Sequence, residues 1–124
     1  GGSTFKAGAT DCTYAYNSEQ EAGTDASSGS TGSTRILVAA STSSTASKGG
    51  VCGEVRFFAP AGTTQNKLFT YQTCFPRTNI PDFRVINGAG RFVLDTNAID
   101  GIRFLFSSGN ITSGNFALYG IKKT

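Results

Sequence analysis

Histidine, tryptophan and methionine are absent from this 124-residue chain, and proline occurs only three times. Each absence removes a chemistry. Without histidine there is no Ser-His-Asp or Cys-His relay and no imidazole metal ligand. Charge of one sign is scarce as a cluster: the net +3 comes from 11 basic and 8 acidic residues spread along the sequence, and Lys122–Lys123 is the only adjacent basic pair. That falls well short of a phosphate-tracking surface, so nucleic acid is not an expected partner. No apolar run approaches the roughly 20 residues of a membrane-spanning helix, and a membrane is not expected either. Cysteine is too sparse for a framework. Cys12, Cys52 and Cys74 are odd in number and lack C-x-x-C spacing, so they read as reduced, partly buried thiols of which one pair at most could join. Carboxylates are the last route to catalysis. Asp11, Asp25, Asp82, Asp95, Asp100, Glu19, Glu21 and Glu54 fall mostly in turns, where Asp bonds its own backbone, and no Asp-x-Asp-x-Asp calcium loop exists. No catalytic, cofactor-binding or metal-binding residue is assigned, no cofactor is expected, and the chain is not expected to be an enzyme.

What is present points to strands. Sixteen glycines, ten phenylalanines and a serine-plus-threonine share of roughly a quarter suit pleated strands and tight turns better than helices. Thr13-Tyr14-Ala15-Tyr16 alternates as a half-buried strand does. Gly23 to Thr34 is wholly polar and small, which predicts a long mobile surface loop, and Ser41 to Gly50 predicts a second. Between them Ile36 to Ala40 reads as a short strand. Val51 to Ala59 has a clean period of two, Pro60 to Thr64 a turn, and Asn66 to Phe75 a further strand, broken by Pro76 to Pro81. Phe83 to Ile86 and Arg91 to Leu94 flank Asn87-Gly88, the strongest short hairpin signal. Ile102 to Phe106 and Asn115 to Ile121 predict the last two strands, with Ser107 to Asn110 turning between them. Arg35, Arg56, Arg84, Arg91 and Arg103 sit within apolar runs and are expected on the solvent faces of strands. The expectation is one all-β domain over residues 1–124, an antiparallel β-sandwich of jelly-roll type.

The C-terminal string from Ala98 through Ile102-Arg103-Phe104-Leu105-Phe106-Ser107-Ser108-Gly109-Asn110-Ile111 to Ser113-Gly114-Asn115-Phe116-Ala117-Leu118-Tyr119-Gly120 resembles a recurrent ending of tailed-bacteriophage virion proteins, especially those of marine phages. Gly1-Gly2-Ser3-Thr4-Phe5, Tyr14-Ala15-Tyr16 and Gly53-Glu54-Val55-Arg56-Phe57-Phe58-Ala59-Pro60 are similar to upstream pieces of the same proteins. The resemblance implies a virion component assembled in a host bacterial cytoplasm, where thiols stay reduced. It also implies that strands precede Gly1-Gly2-Ser3, so that residues 1–124 are the C-terminal part of a larger chain, or that a neighbouring subunit covers an open face. A homo-oligomer is expected, with a trimer favoured, alongside other virion proteins. Phe104, Phe106, Phe116 and Leu118 can share one face of a two-stranded unit, which predicts a stability centre there.

Two functions from different classes follow. The first is a non-enzymatic structural module on a phage tail or capsid surface that works by self-assembly. The second is an adhesin recognising a bacterial surface glycan, for which Tyr14, Tyr16 and Tyr71 are the candidate contacts, since a flat amphipathic ring stacks on a pyranose face. Packing inside the domain or at a subunit interface is the alternative use of the same three rings.

Overall fold

Strict alternation between residues 67 and 76 organises the whole structure. Lys67, Phe69, Tyr71, Thr73 and Phe75 are buried, while Leu68, Thr70 and Gln72 between them are exposed. A strand with one apolar and one polar face needs neighbours on both edges and a cover on one side. The computed structural model describes residues 8, 10–21, 23–40, 42–43, 50–78 and 82–121 and supplies both. Its strands are β1 (Cys12–Gln20), β2 (Ala26–Ser33), β3 (Cys52–Phe58), β4 (Lys67–Pro76) and β5 (Phe83–Phe92), and the described residues contain no helix. They form a single antiparallel sheet in the order β2-β1-β5-β4-β3.

The register places the apolar side chains on one face. Phe57 lies opposite Phe69 and Val55 opposite Tyr71, while Thr73 pairs with Ile86 and Phe75 with Arg84. Phe69, Tyr71, Phe75 and Ile86 form the buried core, and Tyr16, Ile36, Val38, Ala39, Val55 and Phe57 pack against it. Cover comes from the chain after β2. Residues 36–39 cross this face, where the Thr73 hydroxyl donates to the Val38 carbonyl, and Thr42 then bridges to Arg77 beyond β4.

Several sequence expectations change. Asn87-Gly88 does not turn: β5 runs straight through it as the central strand, paired with β1 on one side and β4 on the other. The glycines serve a different purpose. Tyr71 lies opposite Gly88 and Phe69 opposite Gly90, and a Cβ at either glycine would run into the facing ring. Two large rings therefore lie flat over the central strand because nothing projects beneath them. Residues 26–33, expected to be a mobile loop, form edge strand β2. Their side chains are mostly exposed, so backbone bonds to β1 hold them rather than apolar burial. Ile36 to Ala40 covers the sheet instead of joining it as a strand. Arg84 leaves the solvent face and stands half-buried, its Nη2 donating to Gln20 Oε1 at 3.0 Å. Ile102 to Phe106 and Asn115 to Ile121 join no strand. The expectations for Gly1 to Phe5, for most of Ser41 to Gly50 and for Asn79 to Pro81 lie outside the described residues.

Candidate functional site

The C-terminal arm leaves the sheet from a well-made anchor. Lys67 is 2% exposed and has no carboxylate partner among its described bonds. Its Nζ donates to three carbonyls instead: Gly62 at 2.5 Å, Gln65 at 3.0 Å and Thr96 at 2.9 Å. Three donors on a compact ammonium meet three acceptors, which is how a cation can stand buried without an opposite charge. Asn66 Nδ2 donates to the Asp95 carbonyl at 3.4 Å and the Ile99 amide to the Pro60 carbonyl at 2.9 Å. Residues 95–99 are thus pinned to the β3–β4 turn.

Beyond this anchor the chain changes character. Every residue from 101 to 121 is exposed, without regular secondary structure. Yet the segment is rich in large apolar side chains: Ile102, Phe104, Leu105, Phe106, Ile111, Phe116, Leu118, Tyr119 and Ile121. Exposure rises toward the end, reaching 92% at Leu118 and 95% at Ile121. Phe104 and Phe116 do meet, with stacked rings 5.4 Å apart, so the expected contact between the two apolar stretches exists. What fails is its burial. The expected stability centre of Phe104, Phe106 and Phe116 lies on the surface: the segment adds to neither edge of the sheet, and its rings stay open to water.

The three candidate glycan contacts all lie on the covered face. Tyr71 is 4% exposed and belongs to the core, which leaves its ring no open side for a sugar. Burial, then the neighbouring Tyr14 and Tyr16, push its hydroxyl up to about 12. That hydroxyl has no hydrogen-bond partner among the described residues. Tyr14 and Tyr16 are half-buried with rings stacked 6.2 Å apart, and Tyr16 packs on the core. They flank the two glycines of β5, Tyr14 opposite Gly90 and Tyr16 opposite Gly88.

The opposite face of the sheet carries a polar row that spacing along the chain does not reveal. Glu54, Gln72, Asn87, Asn17 and Ser27 are successive cross-strand partners through all five strands. Gln72 Nε2 donates to Asn87 Oδ1 at 2.7 Å, and the Ser27 hydroxyl to Asn17 Oδ1 at 2.8 Å. The exposed Glu54–Arg56 ion pair, at 2.8 Å, lies at its β3 end. Phe58 and Leu68, paired and both about half exposed, are apolar neighbours on the same face. Only strand pairing assembles such a row. The signal available in the sequence was the set of polar residues at alternate positions of each strand.

Among the described residues no group of three or more His, Cys, Asp or Glu side chains could hold a metal ion. No family model, curated protein or solved structure matches this chain.

Proposed function

We propose that this chain is a non-enzymatic structural component of a bacteriophage virion, a tail-associated or capsid-surface module that works by self-assembly. The observation that carries this reading is the arm: a run of large apolar side chains left open to water from residue 101 to residue 121. A contiguous apolar surface of that kind marks a protein contact rather than a solvated tail. The strand-like alternation of Ile102 to Phe106 and Phe116 to Leu118 suits addition to another copy, whose backbone would satisfy theirs. The sandwich of jelly-roll type then belongs to the assembly, with arms of neighbouring copies forming a second layer. Head-to-tail donation of the arm from each copy to the next closes into a ring, and the likeness to small phage β-modules favours a trimer. The likeness of the arm to the ending of tailed-phage virion proteins supports the same setting, with assembly in the host bacterial cytoplasm and other virion proteins as partners.

The full chain should sediment as a discrete oligomer whose arm amides are protected from hydrogen exchange. A monomer with freely exchanging amides over residues 101–121 would overturn the reading. Peptides from this chain should also appear in purified particles at a copy number divisible by the oligomer size.

The open polar row favours a second reading, an adhesin for a bacterial surface glycan. Planar amides in line suit sugar hydroxyls, and on this reading Asn87, Gln72 and Asn17 replace the core ring of Tyr71 as the contacts to test. Glycan-array binding that survives alanine at Asn87 and Gln72 would remove it.

A further inference from the structure

Cys52 and Cys74, more than twenty positions apart in sequence, are direct cross-strand partners of β3 and β4. Residues so paired have Cα atoms about 4.5–5.5 Å apart, inside the 4.4–6.8 Å that a disulfide spans. At the neighbouring Gly53, whose φ is 159°, a Cβ would collide with the backbone of Gln72 and Thr73, so no side chain stands beside the pair on β3 there. The thiols are in contact with each other's strand and with each other. Cys52 Sγ donates to the Cys74 carbonyl at 3.6 Å. Burial first, then the adjacent Cys52 thiol and its hydrogen bond, hold the Cys74 thiol above the usual range. Access is unequal: Cys52 is exposed at the sheet edge and Cys74 is half-buried inside it. They share a shallow hollow with Glu54, Gln72 and Val85 on the face that carries the polar row. Cys12 stands apart, buried on the opposite, covered face beside Phe92 and Ser33.

We propose that Cys52 and Cys74 form a cross-strand dithiol that closes to a disulfide in the presence of a small disulfide oxidant such as oxidised glutathione. The exposed Cys52, as thiolate, attacks one sulfur of the oxidant, and the S–S bond breaks to release one thiol. Cys74 gives up its proton and attacks the Cys52 sulfur in the resulting mixed disulfide, releasing the second thiol. Two electrons pass from the protein thiols to the oxidant, and both protons end on the released thiols. The new bond staples edge strand β3 to β4 and closes a loop of roughly 20 residues through the β3–β4 turn, a length at which a crosslink noticeably restricts the unfolded chain. The inference concerns the sheet alone and does not depend on the virion reading.

The test uses the full chain in graded mixtures of oxidised and reduced glutathione, followed by alkylation and peptide mapping. In the oxidised mixtures Cys12 should be the only alkylated cysteine, and a single crosslinked peptide should join Cys52 to Cys74 with a melting midpoint higher by roughly 10 °C. Cys74→Ser should stop the sequence half-way, with glutathione held on Cys52. Cys52→Ser should leave Cys74 alkylatable under the same oxidant. Three alkylated cysteines in the oxidised wild type, a dimer bridged through Cys52, or glutathione persisting on wild-type Cys52 would each overturn the proposal.

Discussion

A stop codon at Gly101 should convert the assembled chain into a folded, soluble monomer. The exposed fractions of the nine large apolar residues between 102 and 121, from 39% at Ile111 to 95% at Ile121, amount to roughly five and a half whole side chains. At about 1.5–3 kcal/mol for each large apolar side chain removed from water, one arm offers on the order of 8–15 kcal/mol when fully covered. Bringing two chains together costs about 4–15 kcal/mol in lost freedom. One arm therefore roughly breaks even, whereas a closed ring in which every copy gives and receives an arm is firmly held. The cut leaves the body intact, because Phe69, Tyr71, Phe75 and Ile86 and the Lys67–Thr96 bond all lie before residue 101. Sedimentation velocity should show the loss of the oligomer, and a urea melt should show a cooperative transition in the truncated chain. Persistence of the oligomer would mean that the arm is not the interface. A truncated chain that fails to fold would mean that the arm belongs to the subunit's own core.

Three further outcomes follow from the sheet. Lys67→Met keeps the length of the side chain but strands the carbonyls of Gly62, Gln65 and Thr96, so it should cost about 2–4 kcal/mol in a urea melt. Gly88→Val drives a branched side chain into the Tyr71 ring and should cost about 3 kcal/mol or more, while Ala89→Val, on the exposed face one residue along, should be nearly neutral. Tyr71→Phe should leave stability at neutral pH within about 1 kcal/mol, because the hydroxyl it removes is buried without a partner. The same variant tests a pH dependence. The folded Tyr71 hydroxyl ionises near 12 and the unfolded one near 10, so the unfolded state releases its proton first and stability falls as pH rises from 10 to 12. Thermal melts across that window should show the fall in the wild type and a flatter profile in Tyr71→Phe.

Much of the sheet was legible from local pattern. The alternations in β3 and β4 are strong enough to place those strands within a residue or two of their observed ends, because each buries one apolar face. β2 was illegible for the complementary reason: Ala26–Ser33 buries almost nothing, and only the unpaired edge of β1 makes it a strand. The candidate site was legible as composition and misplaced as structure. The apolar arm announces burial, but a sequence does not say whether the cover comes from the same chain or from another. The polar row and the cysteine pair lie across strands and have no signature along the chain.

Residue type and local period by themselves determined that the body is built of strands, that histidine chemistry is closed to it, and that its apolar side chains concentrate in β3, β4 and the arm. Tertiary structure decided the rest. Asn87-Gly88 reads as a turn until Tyr71 and Phe69 are laid over β5, where the missing side chains of Gly88 and Gly90 become the space that two rings occupy. Lys67 stands buried because the carbonyls of Gly62 and Gln65 in the turn before it and that of Thr96, 29 residues on, converge on its ammonium. In each case the local preference is worth about a kilocalorie or less. Burying a ring or satisfying a buried ammonium is worth several, so the larger, non-local term chose the fold.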